Sequence, residues 1–293
     1  MKPKSLYLPL ATCLVLIGAA AIPVEERETL HKQFSPVNPG APMRLLIDNI
    51  WGSITVGTHA RPDVEVVIEK RLTAPSEQTA REFAEKVRLD ISQTENQVRL
   101  YVDGPFRERN WRSRSHNWDI RGSKLVCDYQ VTVPANARLE LKTVIDGDID
   151  VSGAAGEFDV EVVTGSASLH RITGFGRVCA IAGQLTADFD RKPDNPCSFR
   201  TISGNVKVSF PKDLSADLYF KTFQGEVFTD FPVTRLPALP VRRESKNGKF
   251  IYKVNEFYRV RVGKGGPELK FDTFTGDIEI HDRAQQSIAE NEQ

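Results

Sequence analysis

Seven times along this chain a glycine opens a short stretch in which side chains alternate between polar and apolar. The stretches are Gly52-Ser-Ile-Thr-Val, Gly147-Asp-Ile-Asp-Val, Gly165-Ser-Ala-Ser-Leu, Gly183-Gln-Leu-Thr-Ala, Gly204-Asn-Val-Lys-Val, Gly225-Glu-Val-Phe-Thr and Gly276-Asp-Ile-Glu-Ile. Only Thr229 and Phe228 break the alternation. A period of two marks a strand with one face in the core and one in water. Gly147, Gly165 and Gly183 are 18 residues apart, and Gly183, Gly204 and Gly225 are 21 apart. Recurrence at such intervals predicts a repeat architecture in which each turn of chain pairs with the next at about 4.8 Å. The expected fold is mainly β: a single-stranded, β-helix-like solenoid of about seven glycine-cornered coils. An antiparallel sandwich with glycine turns also alternates, but the shared interval and register favour the solenoid. Thr201, Thr222 and Thr273 each precede their glycine by three residues, so the corner recurs as well as the strand.

Before the repeats, alternation predicts strands at 43–49, 53–56, 63–71, 97–102 and 125–133. Between the third and fourth, Ala80, Phe83, Ala84 and Val87 recur at helical spacing behind Ser76, a good N-cap. This predicts a helix over about 76–88 that caps the end of the solenoid and covers strand edges. The repeat stack runs from Leu139 to about Phe231. A proline-rich insertion at 232–264 follows, with Asn247-Gly248 as a hairpin signal, and the Gly276 coil closes the stack.

The remaining divisions come from composition. Lys2 and Lys4, an apolar run from Leu6 to Ile17 and small residues to Ala21 predict a signal peptide at 1–21, cleaved near Ala21. Residues 22–42 read as a linker or N-terminal arm, 43–283 as one β-solenoid domain, and 284–293 as a disordered tail. No later apolar run is long enough for a transmembrane span, so the expected location is extracytoplasmic: periplasm, cell surface or secreted. Removing the leader leaves 37 basic against 39 acidic residues, a balance that gives no electrostatic reason to seek nucleic acid. Three cysteines then remain, and Cys179 and Cys197, 18 apart, are the candidate disulfide on adjacent coils. No sequence motif points to a metal or cofactor.

Three segments carry a family resemblance: Tyr129-Gln-Val-Thr-Val-Pro-Ala-Asn-Ala-Arg-Leu-Glu-Leu, the successive glycine coils, and the Gly-Gly-Pro-Glu-Leu-Lys-Phe-Asp-Thr run beginning at Gly265. Over most of residues 43–282 the chain resembles the bacterial putative-adhesin family of β-strand-repeat domains. That resemblance implies an extracytoplasmic repeat fold, in a family without an assigned activity.

Candidate chemistry lies on the outward positions. Ser152, His170 and Asp188 each follow a glycine by five residues on consecutive coils, so an unbroken register would stack a nucleophile, a base and an orienting carboxylate. The same positions also read as a polar surface ladder, and no nucleophile elbow accompanies them. Asp148 with Asp150, and Asp277 with Glu279, are paired carboxylates of the kind glycosidases use. Asp146-Gly-Asp-Ile-Asp150 lacks the later features of a calcium loop. The loop at 104–123 is the stronger binding candidate, because Arg107, Arg109, Arg112, Arg114 and Arg121 interleave with Trp111 and Trp118. Guanidinium forks suit anionic groups, and exposed indoles suit sugars or protein surfaces. The sequence therefore reads as an exported, non-enzymatic binding or structural protein of the cell envelope. Its expected partner is an anionic glycan, a lipid headgroup or an envelope protein. A carbohydrate-active enzyme on a β-helix scaffold, using surface carboxylates, is the alternative.

Overall fold

The computed structural model describes residues 23–107, 122–237, 242–246, 249–253 and 257–284. The chain opens with β1 (Val24–Phe34), β2 (Arg44–Asp48), β3 (Ile54–His59) and β4 (Val64–Ala74). Helix α1 (Glu77–Lys86) leads to β5 (Arg88–Thr94), β6 (Gln97–Asp103) and β7 (Lys124–Pro134). The repeats are β8 (Arg138–Thr143), β9 (Ile149–Ser152), β10 (Glu157–Thr164), β11 (Ala167–Ile172), β12 (Phe175–Ala182) and β13 (Leu185–Phe189). They continue as β14 (Cys197–Ser203), β15 (Val206–Phe210), β16 (Ala216–Gln224) and β17 (Val227–Thr229). After β18 (Val233–Arg235) come the hairpin β19 (Arg242–Lys246) and β20 (Lys249–Lys253), then β21 (Tyr258–Val262), β22 (Glu268–Thr275) and β23 (Ile278–Asp282).

Nearly all of these strands join two large sheets. One has ten strands in the order β1-β4-β7-β3-β9-β11-β13-β15-β23-β17; the other has eleven, β18-β21-β16-β22-β14-β12-β10-β8-β2-β6-β5. The protein is thus mainly β, with no closed barrel among the described residues. Both sheets are mixed. Their middles pair in parallel, and antiparallel strands stand at every end but that of β17: β1 on β4, β5 on β6, and β21 on β16. From β8 to β17 the chain alternates between the two sheets, so each glycine-cornered turn supplies one strand to each.

The alternation seen in the sequence is the cause of this layering. Ile54, Ile149, Ala167, Leu185, Val206 and Ile278 stand opposite one another in successive parallel pairs, and all are fully buried. A large aliphatic side chain so buried contributes about 1.5–3 kcal/mol gross. Phenylalanines fill the wider part of the core, Phe189 stacking on Phe210 at 4.9 Å and Phe199 on Phe271 at 5.4 Å. Helix α1 starts where Ser76 caps it: the Ser76 hydroxyl accepts from the Thr79 N–H, and the Thr79 hydroxyl accepts from the Ser76 N–H. Its Ala80 and Phe83 join the core cluster as the chain passes from β4 in one sheet to β5 in the other.

Three expectations are corrected. Segment 22–42 is not a linker throughout, because β1 pairs with β4 along its whole length. Its sequence hid this: the strand is largely polar and charged, as suits an edge, and only Leu30 and Phe34 pack against the core. The Gly276 coil does not close the stack. Strands β22 and β23 insert between β14/β15 and β16/β17, so the last coil in sequence is the second-last in space. Both coils carry the same Thr-x-x-Gly corner, so the corner cannot order them; the one difference is that Phe228 and Thr229 break the alternation in the coil that ends the stack. Val227 belongs to the inward column, yet it is 39% exposed because β17 ends its sheet.

The glycine corner dictates the stack. A Cβ on Gly183, at φ +149, would lie 1.9 Å from the Gly165 carbonyl oxygen of the preceding coil. Gly183→Ala is therefore expected to lower stability by about 3 kcal/mol. Gly57→Ala, where a Cβ has nothing within 4 Å, should change it by less than about 0.5 kcal/mol. Equilibrium urea unfolding measures both; equal effects would remove the corner argument.

Candidate functional site

The root of the arginine- and tryptophan-rich loop is well defined. After β6 the chain makes a short 3-10 turn, Pro105–Arg107. Phe106 meets Trp51 edge to face at 5.8 Å. Arg107 Nη1 donates to Asp48 Oδ1 at 2.9 Å, Nη2 to the Asp48 carbonyl at 3.0 Å and Nε to the Val102 carbonyl at 3.0 Å. With three of its five N–H donors spent on the scaffold, and lying 4.5 Å from the Tyr101 ring centroid, Arg107 holds the loop base. Arg109, Trp111, Arg112, Arg114, Trp118 and Arg121 lie outside the described residues.

Beside that root, β2, β8 and β10 form a shallow hollow of about 200 Å³ edged by Asp48, Glu140, Asp159 and Glu161. All four carboxylates are matched. Asp48 binds Arg107, Glu140 binds Arg44 and Arg138, and Arg177 reaches both Asp159 and Glu161. The alternating charges form a cross-strand ladder on the outer face of the sheet, which fixes register without leaving an acid free for catalysis. The Asp159 partnership raises the Arg177 pKa.

The serine–histidine–aspartate ladder does not assemble. His170 stands opposite Ser152 as expected. The next step fails, because the β11–β13 register breaks between Leu169 and Ile172, where Arg171 takes φ 54. Arg171 donates to the Ser152 hydroxyl at 3.0 Å, and Asp188 pairs with Arg283 at 3.2 Å. His170 is left exposed between two occupied neighbours. A bulge of this kind is invisible to glycine spacing.

Within each carboxylate pair the first acid is taken up by the neighbouring coil, and the two pairs stand on different coils. Asp150 and Glu279 lie in one outward row with Ser168, Thr186 and Lys207 between them, a separation of about 19 Å over four coil steps. Asp148 Oδ1 accepts the Ser166 N–H at 2.7 Å, and Asp277 Oδ1 accepts the Glu226 N–H at 2.8 Å. These acids cap the neighbouring coil. Glu279 instead bonds His281 Nε2 at 3.0 Å, while His281 Nδ1 lies 3.1 Å from Asp230 Oδ2. Among the described residues no three His, Cys, Asp or Glu side chains are grouped to hold a metal.

Cys127, Cys179 and Cys197 are free thiols. Cys179 faces Arg200 across the β12–β14 pair and points outward, whereas Cys197 is buried opposite Leu269. Three residues of offset are about 10 Å, beyond the roughly 7 Å Cα limit of a disulfide. The extra residues of the 21-residue coil precede Cys197 and carry it out of line, which corrects the expected pairing. Burial pushes the Cys127 thiol up to about 12 and Cys197 to about 11, and raises Cys179 as well.

One feature was present in the sequence and missed. Two residues before their glycines stand Val163, Ile181, Ile202, Phe274 and Phe223, and parallel register aligns them in that order along the outer corner. Ile181, Ile202, Phe274 and Phe223 are exposed, the last at 70%, and the two rings stack at 4.8 Å. Ile145 stands beyond Val163, where one extra residue, Asp146 at φ 51, interrupts the column. Apolar density rises toward β17, where Val227, Phe228, Val233 and Tyr258 are also exposed.

No family model and no curated protein matches this chain. Among crystal structures, it is similar to a putative cell adhesion protein from Clostridium sporogenes, with 11% identity over 88% of this chain and 100% of that one, at a TM-score of 0.39. It is also similar to a putative adhesin from Bacteroides fragilis, with 9% identity over 87% and 97% of the two chains and a TM-score of 0.27. A third, from Parabacteroides distasonis, gives 10% identity, 86% and 97% coverage and a TM-score of 0.17. No helix among the described residues is long and apolar enough to cross a membrane.

Two outcomes follow from these side chains. In native protein at pH 8 a thiol reagent should modify Cys179 at most, with Cys127 and Cys197 reacting only in guanidinium; rapid native labelling of a second thiol would contradict the burial. Asp217 receives two bonds from Arg261, at 2.7 and 2.8 Å, which tie β21 to β16 and hold its carboxyl below the usual range. A lowered folded-state pKa stabilises above the unfolded value and is lost as pH falls through the folded one. Asp217→Asn should therefore cost about 1 kcal/mol at pH 7. The difference from wild type should close near pH 2, as read by thermal melting at both pH values.

Proposed function

We propose that this protein is an exported, adhesin-like binding protein. In this reading its glycine-cornered coils form a rigid β-solenoid, which presents polar ladders and one arginine- and tryptophan-rich recognition loop. The observation that carries the reading is how the loop root is built. Trp51, Phe106 and Arg107 spend their rings and donors on the scaffold, which leaves the four further arginines and two tryptophans of the loop to meet a partner. A preorganised base lowers the ordering cost of a binding loop. The chemistry of those side chains suits an anionic surface, whether a glycan, a lipid headgroup or an acidic envelope protein.

The carbohydrate-active alternative gains nothing from the geometry. In its two carboxylate pairs Asp148 and Asp277 bind backbone N–H groups of the next coil and Glu279 bonds His281, and the acids around the hollow are held in ion pairs. The leader-like segment at 1–21 supports the export part of the reading.

The test is a glycan-array and anionic-liposome screen of the protein without residues 1–21, beside a variant with Arg109, Trp111, Arg112, Arg114 and Trp118 changed to alanine. Arg107 is kept, since its loss would disturb the fold. The expected result is binding that weakens at least about ten-fold in the variant, by the loss of several charge-assisted contacts, with an unchanged melting temperature. Equal binding by both proteins would refute the loop as the recognition surface.

A further inference from the structure

The two sheets end unevenly. On one side the order finishes β15-β23-β17, whereas on the other it runs β14-β22-β16 and then continues to β21 and β18. Down to the β16/β17 level each strand has a counterpart across the core. Strands β21 and β18 have none, and the space opposite them is a hollow of about 330 Å³ whose lining includes Phe220, Thr222, Val227, Thr229, Val233 and Tyr258. The hollow has the place and the lining of a missing strand. Val227, whose equivalents elsewhere are fully buried, opens onto it at 39% exposure, with Val233 at 45% and Tyr258 at 51%.

The backbone of β17 points the same way. The Ile278 N–H donates to the Glu226 carbonyl at 2.9 Å, and the Asp230 N–H donates to the Ile280 carbonyl at 3.1 Å. Successive residues of a strand turn their N–H and C=O groups to opposite sides. Residues 226, 228 and 230 therefore serve the ladder to β23, and the backbone groups of Val227 and Thr229 face outward along the edge. Such an edge is a template for another strand.

We propose that this edge takes up an extended segment of a partner protein as an added β-strand. Strand β17 spans three residues, so the added strand is short, about five residues. Its alternate side chains are apolar and enter the hollow. A lysine or arginine at its end meets Glu226, whose exposed carboxylate lies at the start of β17. The fold already performs the same operation on the other edge of β17, where β23 inserts out of chain order. This site is independent of the arginine- and tryptophan-rich loop and stands whether or not that loop binds.

The probe is a fluorescein-labelled peptide, Lys-Val-Thr-Val-Thr-Val-Lys, measured by fluorescence anisotropy with the whole protein. Two control peptides carry proline in place of both threonines, or glutamate in place of both lysines. The protein variants are Thr229→Pro, which removes one outward N–H and spares the ladder to β23, and Glu226→Lys. Expected is a Kd of about 10–100 μM for the first peptide, a weak affinity suited to a short strand. Binding should weaken at least ten-fold for the proline peptide and for T229P, and at least three-fold for the glutamate peptide and for E226K. T229P should melt within a few degrees of wild type; if it fails to fold, the two control peptides and E226K decide. Absence of binding, or equal binding by the proline peptide, would overturn the proposal. So would a dimer in sedimentation that T229P dissolves, which would assign the edge to a second copy. Binding that appears only after deletion of 242–253 would assign it instead to the chain's own β19–β20 hairpin.

Discussion

The contact on which this molecule depends is between one glycine and the carbonyl of another. A Cβ on Gly147 would sit 2.0 Å from the Gly52 oxygen, one on Gly204 2.0 Å from that of Gly183, and one on Gly225 1.9 Å from that of Gly276. Coils can approach to strand spacing at this corner only because hydrogen replaces a methyl group there. The residues around the corner then satisfy what the close approach leaves over. Thr201 donates to the Gly183 carbonyl, Thr273 to that of Gly204 and Thr222 to that of Gly276. On the following residue, Asp148, Asn205 and Asp277 each accept an N–H from the next coil. Threonine before and a short polar acceptor after the glycine thus form one hydrogen-bonded seam down the stack.

That seam explains why so much of the fold was legible. Alternation gave the strands and their buried faces, and the shared interval gave parallel pairing with the correct neighbours from β9 to β15. The helix was readable from Ser76 and the spacing of Ala80 and Phe83. Long-range facts were not. The Gly276 and Gly225 coils carry the same corner, and only the broken alternation at Phe228 and Thr229 marks the Gly225 coil as the one that ends the stack. Strand β1 disguised itself with charge, as an edge must. The cysteine pairing failed because equal spacing in sequence is equal register only when the extra residues of a coil fall outside the interval.

The candidate site divides in the same way. Composition singled out the loop after β6, but it could not show that Arg107 belongs to the scaffold, because its partner Asp48 is 59 residues away. The Ser152–His170–Asp188 row was undone by a single left-handed residue, Arg171. The apolar column ending at Phe223 and Phe274 was written in plain periodicity two positions before each glycine. The positions after each glycine carry the stronger alternation and mask it. Repeats repay reading at every offset, and the offsets that face water carry the individuality of the protein.

The insertion of β22 and β23 between earlier coils has a consequence for how the protein matures. Strands β16 and β17 emerge from the ribosome before the layer on which they finally rest, so the far end of the stack cannot be completed vectorially. Its contacts close loops of about fifty residues, and such non-local pairing forms slowly. The far end of the stack stays loose until then, and it settles only when residues 268–282 arrive to wedge the layers together.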